Sequence, residues 1–260
     1  MTATYHINDI RNVVLAGHGA SGKTSLADAL LFYAKATDRR GSVDDGTSAS
    51  DVEDEEKRRH FTIDCHLLHL EWSDKHVHLI DTPGYPDFIG NVLSALAAVE
   101  NVVLTVSAPH GIEVNTRRIF QEATRLKLGR IIVLTKMDAD NVDYNRTLQQ
   151  IRESFGPQCV PFNVPIGQGP SFSGVVEDVL TPPQECDGCA LSPNEAAQMA
   201  VEQIVETDDD LMARYLEGES LTSDELREAA HKAIAQGKLV PIVCVSSKKD
   251  IGLQELLNLL

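Results

Sequence analysis

The sequence has no apolar run that approaches the roughly 20 residues a helix needs to cross a bilayer. Its start lacks the basic and then apolar pattern of a secretory signal, so we do not expect export. Cysteines are few: there are five, an odd number without the spacing of a disulfide framework. This count excludes a disulfide-rich secreted scaffold and fits reduced thiols in a cytosol.

Basic residues are also scarce, since 23 Lys and Arg stand against 39 Asp and Glu, for a formal net charge of −16. This balance argues against general nucleic-acid binding by phosphate neutralisation. Two short basic runs, at residues 57–60 and 248–249, leave local docking on a nucleoprotein open, although a solvated face is the simpler interpretation. With 260 residues, 42% of them hydrophobic, the chain is long enough for one large domain or a domain with an insertion.

The most informative stretch is residues 12–24, which read NVVLAGHGASGKT. A short apolar run, suited to a strand buried on both faces, leads into a glycine-bounded loop and then into apolar residues at helical spacing. Strand, loop and helix in this order are the context of a phosphate-binding loop, in which backbone N–H groups and the helix N-terminus face an anion. Lys23 adds a full positive charge, and Thr24 offers a hydroxyl to Mg²⁺. The alternative is an ordinary strand-to-helix turn.

A predicted hairpin ends in a second cluster of polar residues. Residues 63–72 roughly alternate as a half-buried strand, and residues 77–80 return as the second arm. That arm runs into Asp81-Thr82-Pro83-Gly84. An aspartate at the end of a core strand, opposite a phosphate loop, is where Mg²⁺ is held in this class of protein. Because Gly84 has no side chain, its N–H can approach a terminal phosphate.

The remaining chain predicts an α/β fold, with a mostly parallel sheet and helices on both faces, interrupted by an α+β insertion. We expect a first core part over residues 1–156, the insertion over residues 157–237, and the last strand and start of the last helix over residues 238–260. Because that helix is only beginning, we expect a longer protein. Cys186 and Cys189 in the insertion are either half of a zinc site or two ordinary thiols, and without a second pair we favour thiols.

Five motifs, taken in order, resemble those of the translational GTPases, and the likeness is strongest to elongation factor G. The motifs are Gly17-His18…Gly22-Lys23-Thr24, Phe61-Thr62-Ile63, Asp81-Thr82-Pro83-Gly84, Lys136-Met137-Asp138 and Ser246-Ser247-Lys248. The resemblance covers nearly the whole chain and implies a P-loop GTPase fold with that family's inserted subdomain. It also implies GTP or GDP and Mg²⁺ as cofactors, a cytoplasmic location and the ribosome as partner. We expect that family's domains that mimic tRNA to lie outside this sequence.

The same resemblance implies site residues. The catalytic candidates are Tyr85, Lys23 and Gly84, and the Mg²⁺ candidates are Thr24, Thr62 and Asp81. The implied nucleotide contacts are His18, Gly19, Ala20, Ser21, Gly22, Lys23, Thr24, Ser25, Thr135, Lys136, Asp138, Ser246, Ser247 and Lys248. Asp138 would accept hydrogen bonds from guanine N1–H and N2–H, the Lys136 stem would lie over the base, and the Ser247 N–H would reach O6.

One segment between these motifs is polar, acidic and poor in apolar residues, which predicts a long mobile loop over residues 37–56. Since Thr62 would be ordered only beside a γ-phosphate, residues 37–62 form a nucleotide-gated loop in this interpretation. We expect residues 39–60 to be poorly ordered without a γ-phosphate, because they lack apolar anchors.

The chain departs from the family pattern at positions that matter for hydrolysis. Thr135 replaces an asparagine, Ala20 an aspartate, and Gly19 a hydrophobic gate residue opposite Phe61, so we expect the gate to be more open on that side. Tyr85 stands where the family has the histidine that orients the attacking water. The alternative is that its ring packs on Phe88 or Ile89 and takes no part in hydrolysis.

These departures suggest a divergent paralogue. They leave open a GTPase that is slow without ribosomes and a GTP-dependent binding switch with little hydrolysis. A P-loop kinase or ATPase is disfavoured by the guanine motif.

We predict that Asp138→Asn weakens GTP binding at least about a hundredfold and improves binding of xanthine nucleotides. The physical reason is that the amide presents a donor where guanine also has one, which leaves both groups unpaired. Competition of GTP, XTP and ATP against a fluorescent guanine nucleotide measures the effect. Equal affinity of the unmodified chain for ATP and GTP would contradict the assignment.

Overall fold

The computed structural model describes residues 5–181 and 186–260. Its strands are β1 (Ile10–Gly17), β2 (His66–Trp72), β3 (Lys75–Asp81), β4 (Asn101–Ser107), β5 (Gly129–Thr135), β6 (Cys159–Pro161), β7 (Val164–Ile166), β8 (Gly174–Val176) and β9 (Val240–Cys244). Its α-helices are α1 (Lys23–Tyr33), α2 (Asp54–Arg59), α3 (Ile89–Leu96), α4 (Val114–Arg125), α5 (Tyr144–Phe155), α6 (Pro193–Val205), α7 (Asp209–Leu216), α8 (Ser223–Ala235) and α9 (Leu253–Leu259). Among the described helices, none combines the length and the apolar character that crossing a membrane requires.

Seven of these strands form one sheet in the order β2-β3-β1-β4-β5-β9-β6. Every neighbouring pair is parallel except the β2–β3 hairpin, which is antiparallel. The prediction of a mostly parallel sheet is therefore confirmed. Because the carboxyl ends of parallel strands lie along one edge, the ends of β1, β3, β5 and β9 meet there. The sheet thus brings together the motifs that follow these four strands.

Helices cover both faces of the sheet, which explains why its central strands are apolar throughout. In β1, Val13 and Leu15 pack with residues of α1 and α9, whereas Val14 and Ala16 pack on the other face with residues of α3, α4 and α5. All four side chains are fully buried. Successive side chains of a strand point to opposite faces, so a strand covered on both sides shows no polar alternation.

The predicted insertion has a hydrophobic cluster of its own, which includes Val160 of its first strand, but that strand pairs with the main sheet. Helices α6, α7 and α8 pack around a cluster that includes Ala200, Ile204 and Leu226. Strands β7 and β8 form a separate two-stranded antiparallel sheet. Strand β6, which falls within residues 157–237, instead pairs with β9 at the edge of the main sheet. Three residues are too few for periodicity to assign a strand to one sheet or another.

The interpretation of residues 37–56 as a long mobile loop is wrong for their second half. Ser48, Ser50 and Asp51 are buried, with 0–8% of their surface exposed. The short helix α2 then begins at Asp54. Polar side chains, rather than apolar ones, therefore hold this half of the segment. Its dependence on a γ-phosphate stays a prediction.

Glu56 fixes the end of that segment. Its Oε1 accepts hydrogen bonds from the N–H of Ile63 at 2.9 Å and of Asp64 at 3.2 Å, and lies 2.8 Å from Nε2 of His66. Burial acts to raise the pKa of Glu56, but the hydrogen bonds from His66 and the backbone outweigh it and hold the pKa below its usual range. Glu56 thereby ties α2 to the start of β2.

The prediction of two ordinary thiols in the insertion is also wrong. Cys186 and Cys189 are joined by a disulfide, because the turn between them places their Cα atoms 5.7 Å apart, within the range that a disulfide bridges. The thiols of Cys65, Cys159 and Cys244 are free. Burial raises the pKa of the Cys159 thiol to about 12, so this group is an inert part of the core.

Asn163 extends the hydrogen bonding of the sheet past the end of β6. Its Nδ2 donates to the carbonyl oxygen of Cys244 at 3.1 Å, and its Oδ1 accepts from the N–H of Cys244 at 2.7 Å. The side chain is fully buried. One amide therefore takes the place of a strand neighbour at the end of β9, where the chain enters the functional edge of the sheet.

We predict that Asn163→Ala lowers the free energy of unfolding by about 2–4 kcal/mol, because it leaves a buried N–H and a buried C=O without partners. Urea unfolding measures the loss, and the slope of the unfolding free energy against urea concentration should stay unchanged. The control is Asn194→Ala on the exposed surface of α6, which should change the free energy by less than about 0.5 kcal/mol. Equal effects of the two substitutions would contradict the role of Asn163.

Candidate functional site

The loop between β1 and α1 takes its shape from two glycines. A Cβ added at Gly17 would lie 2.4 Å from the Oγ1 of Thr105 and 2.5 Å from its carbonyl oxygen, so no other residue fits there. Gly22 has a φ of 86°, in the left-handed region, immediately before α1 begins. The loop thereby aims the N-terminus of α1, with its partial positive charge, at the carboxyl edge of the sheet.

Lys23 is the buried cation of this loop, with 5% of its surface exposed. Its Nζ donates to the carbonyl oxygen of Gly17 at 3.2 Å and to that of His18 at 2.9 Å. Burial lowers the pKa of Lys23 to about 8, and the nearby charges of Asp81 and Glu113 oppose this shift. The ammonium therefore stays charged at neutral pH, although little water solvates it, and an anion beside it would be bound strongly.

Five oxygen-bearing side chains, including that of Asp81 at the end of β3, form one hydrogen-bonded cluster. Its Oδ2 accepts hydrogen bonds from the hydroxyl of Ser50 at 2.7 Å and from that of Thr24 at 2.8 Å. The Thr24 hydroxyl lies 2.9 Å from the hydroxyl of Thr62, which donates to Asp51 at 2.9 Å. The predicted Mg²⁺ candidates are thus in direct contact, and two further residues join them.

The donor set fits Mg²⁺. Among the described residues, Asp81 Oδ1 is buried and has no hydrogen-bond partner. Burial raises the pKa of Asp81 to about 6, against the hydrogen bond from Ser50 and the charge of Lys23. A divalent cation would supply positive charge next to this buried carboxylate and a partner for its Oδ1, and Mg²⁺ prefers hard oxygen ligands of this kind. Nowhere in residues 5–181 and 186–260 do three or more His, Cys, Asp or Glu side chains converge as a metal site, so hydroxyl groups would have to share the ligation.

Gly84 packs directly on the phosphate-binding loop. A Cβ added there would lie 2.4 Å from the Nζ of Lys23 and 2.7 Å from the carbonyl oxygen of His18. Its own carbonyl oxygen accepts a hydrogen bond at 2.9 Å from the side chain of Asn115, in the first turn of α4. Asn115 is 3% exposed and was missed by sequence reasoning, because an asparagine in a first helical turn carries no signal beyond capping.

The Tyr85 ring lies beside the phosphate-binding loop and is 41% exposed. It packs edge-on against Phe61, with ring centroids 4.8 Å apart. A Cβ added at Gly19 would lie 3.4 Å from a Tyr85 ring carbon. Contrary to expectation, Gly19 therefore does not leave that side of the gate open, since the tyrosine ring covers it. Among the aromatic rings of the described residues, Tyr85 packs against that of Phe61.

The motif after β5 is tied to the phosphate-binding loop by two hydrogen bonds. Thr135 Oγ1 donates to the carbonyl oxygen of Ser21 at 2.6 Å, and Lys136 Nζ donates to that of Ala20 at 2.8 Å. The Ser21 hydroxyl in turn lies 2.7 Å from that of Thr105 in β4. Thr135 is therefore long enough to connect strand and loop without an amide.

The end of β9 meets the same motif. Asp138 Oδ1 accepts a hydrogen bond from the Ser246 hydroxyl at 2.6 Å, and the Ser246 hydroxyl accepts one from the N–H of Lys249 at 3.1 Å. Ser247 is half-buried and Lys248 exposed at the rim. The hydrogen bond to Oδ1 therefore fixes the orientation of the Asp138 carboxylate, and its Oδ2 can accept a hydrogen bond from a ligand.

One cavity joins most of these parts. It is lined by Gly19, Ala20, Gly22, Lys23, Thr24, Ser25, Val43, Asp44, His60, Phe61, Thr62, Gly84, Tyr85 and Lys136. Val43, Asp44 and His60 lie within the predicted nucleotide-gated loop over residues 37–62 but are not among the predicted site residues, and neither are Ser50 and Asp51. Residues 43–51 read VDDGTSASD, mostly small and polar, and nothing local distinguishes the buried ones from the exposed ones.

The chain matches the family model described as the elongation factor Tu GTP binding domain over residues 8–260. It is 32% identical over 261 residues to the elongation factor G-like protein of Thermotoga maritima, across 98% of this chain and 38% of that protein. A crystal structure of a Thermus thermophilus protein is similar with a TM-score of 0.87 and 36% identity, across 96% of this chain and 39% of the other. The chain thus spans about two fifths of the length of both relatives.

We predict that Gly84→Ala weakens binding of a non-hydrolysable GTP analogue about tenfold while GDP binding changes less. The added methyl would displace Gly84 from Lys23, and overpacking of this kind costs about 1–3 kcal/mol, where 1.4 kcal/mol is tenfold in affinity. Gly90→Ala is the matched control, because nothing lies within 4 Å of a Cβ added there. Titration with fluorescent GDP and GTP analogues measures both. Unchanged analogue affinity in Gly84→Ala would contradict the close approach.

Proposed function

Since the chain belongs to the elongation factor Tu GTP-binding domain family, as a G domain of the elongation-factor-G-like kind, we propose that it binds and hydrolyses GTP for a translation factor acting on the ribosome. The observation that carries this proposal is the shared sheet edge. A buried lysine, an oxygen cluster at Asp81 and a fixed carboxylate at Asp138 all lie along it. GTP or GDP and Mg²⁺ are the cofactors, and the cytoplasm is the location.

In this proposal, the base and the phosphates are recognised by separate strand ends. Asp138 accepts from guanine, and its hydrogen bond with Ser246 keeps the carboxylate turned toward the base. Lys136 is anchored on the phosphate-binding loop, so its stem provides the surface against which the base lies. Lys23 and the N-terminus of α1 attract the phosphates.

In this proposal, Thr24, Thr62 and Asp81 would hold Mg²⁺, and the positive charge of the ion would offset the negative charge that develops during phosphoryl transfer. Gly84 supplies a backbone N–H next to Lys23, where a terminal phosphate would lie. Asn115 holds the Gly84 carbonyl oxygen and so sets the orientation of the peptide that leads to Tyr85.

Hydrolysis needs a positioned water, and Tyr85 occupies the candidate position for this task. A phenol can donate a hydrogen bond to a water or accept one from it, but it is a poor base near neutral pH compared with an imidazole. Its contact with Phe61 places the ring at the mouth of the cavity. We therefore propose slow turnover in the absence of ribosomes.

A GTP-dependent binding switch with little hydrolysis is the second candidate. The observation that favours it is the packing of Tyr85 over Gly19 and against Phe61, which closes the approach to the phosphate-binding loop. Single-turnover hydrolysis with and without ribosomes separates the two functions. Ribosome stimulation supports the enzyme, whereas tight GTP binding with no stimulated phosphate release supports the switch.

We also propose a division into a G domain core, residues 1–156 and 238–260, and an inserted subdomain, residues 157–237. The separate cluster around α6, α7 and α8 supports this division. The pairing of β6 with β9 favours a boundary a few residues further along the chain. Lys249 Nζ donates to the carbonyl oxygen of Phe172 at 2.6 Å, so the insertion also buttresses the loop after β9.

We predict that Tyr85→His raises the ribosome-stimulated single-turnover rate at least about tenfold, because a side chain that polarises water typically contributes about 10²–10⁴-fold. The matched control is Tyr215→His in α7, which is similarly exposed and lies in the insertion. Phosphate release from pre-bound GTP, in the full-length factor on ribosomes, measures the rate. No gain from histidine would mean that tyrosine performs the task equally well.

A further inference from the structure

Asp28 is a buried carboxylate in α1 that the nucleotide-binding motifs do not include. Only 1% of its surface is exposed, and its neighbours Ala27, Ala29 and Leu30 belong to the apolar core, where a carboxylate is unusual. Burial raises the pKa of Asp28, and the hydrogen bond from the backbone of Ala49 opposes the shift. A buried carboxylate needs donors, and here the donor comes from the segment between α1 and α2, while Asp28 Oδ2 has no hydrogen-bond partner among the described residues.

Both ends of residues 41–49, which we call the 41–49 loop, meet at this one side chain. The N–H of Ala49 donates to Asp28 Oδ1 at 2.9 Å. At the other end, a Cβ added at Gly41 would lie 2.5 Å from Oδ1 and 2.9 Å from Oδ2, so the Gly41 backbone rests directly on the carboxylate. Asp28 therefore closes the neck of the loop.

Between its ends, the 41–49 loop is folded by its own hydrogen bonds. The N–H of Thr47 donates to the carbonyl oxygen of Ser42 at 2.9 Å, and the N–H of Ser42 donates to the Thr47 hydroxyl at 3.2 Å. Between Ser42 and Thr47 the chain makes a turn, in which the N–H of Gly46 donates to the carbonyl oxygen of Val43 at 3.1 Å. The loop is thus a small unit folded by its own hydrogen bonds.

The tip of the loop lies over the cavity. Val43 and Asp44 line it, and His60 Nδ1 lies 3.0 Å from the Val43 carbonyl oxygen. Just before the neck, Arg40 forms an ion pair with Asp250 at 2.6 Å, which connects the loop to the segment after β9. The position of the neck therefore determines whether the tip covers the cavity.

We propose that Asp28 is a positioning residue that clamps the 41–49 loop over the nucleotide cavity and thereby slows nucleotide release. The clamp stands on the contacts above, while its effect on release rests on the proposed function. If the neck opens, the carboxylate exchanges Ala49 for water, and Val43 and Asp44 lose their fixed position over the cavity. Because the carboxylate meets the loop at Gly41 and Ala49, which lie outside the five motifs, its effect is on the loop and not on the phosphates.

The clamp is tested by limited trypsin digestion of the chain with and without GDP, followed by mass spectrometry of cleavage after Arg39 and Arg40. Asp28→Ala should raise the cleavage rate about tenfold, and Asp28→Asn less, because its amide oxygen still accepts from Ala49. Gly41→Ala leaves the α1 core intact and should also raise cleavage, which separates the clamp from a loss of folding. Asp210→Ala, on the exposed surface of α7, is the control and should change nothing.

Release of a fluorescent GDP analogue tests the consequence. We expect rates about fivefold to tenfold faster in Asp28→Ala and Gly41→Ala than in the control. Cleavage that stays at the control rate in both variants, whatever their melting temperatures, would overturn the clamp. Faster cleavage with unchanged release would overturn the gating. Absence of any GDP binding by the unmodified chain would overturn the proposed function, and the cleavage rates would still decide the clamp.

Discussion

The carboxylate of Asp81 lies at the end of β3 with no exposed surface, and the segments around the cavity are arranged by the hydrogen bonds it accepts. Ser50 reaches it from the segment before α2, and Thr24 reaches it from the first turn of α1. Thr62 and Asp51 extend the same network. A buried carboxylate costs free energy unless donors or a cation surround it, so this one position constrains three segments of the chain together.

The same principle operates elsewhere in the region between α1 and β2. Asp28 accepts a hydrogen bond from the N–H of Ala49, and Glu56 accepts hydrogen bonds from the N–H groups of Ile63 and Asp64. Buried carboxylates therefore hold this region together where other regions have apolar side chains. Such anchors would suit the predicted nucleotide-gated loop, since each can exchange a protein donor for water at small net cost. A large apolar anchor would lose roughly 1.5–3 kcal/mol for every opening.

The departures from the family pattern form a spatially consistent set. Tyr85 is bulkier than the histidine expected there, and Gly19 provides the space that its ring occupies. Phe61 then packs against the exposed edge of that ring. Similarly, Thr135 lacks an amide but hydrogen-bonds the Ser21 backbone. Substitutions that look independent along the chain are therefore neighbours in the structure.

The sequence by itself determined the P-loop GTPase fold and the ligand chemistry, and the fold is confirmed. Strand and helix periodicity and the requirement for glycine at positions such as Gly17 are local properties, which a sequence records directly. Only the tertiary structure decided that Asp28, Ser50 and Asn115 are buried and hydrogen-bonded to distant parts of the chain. Their partners lie 21, 31 and 31 residues away, and a polar residue's local pattern is the same whether it is solvated or buried.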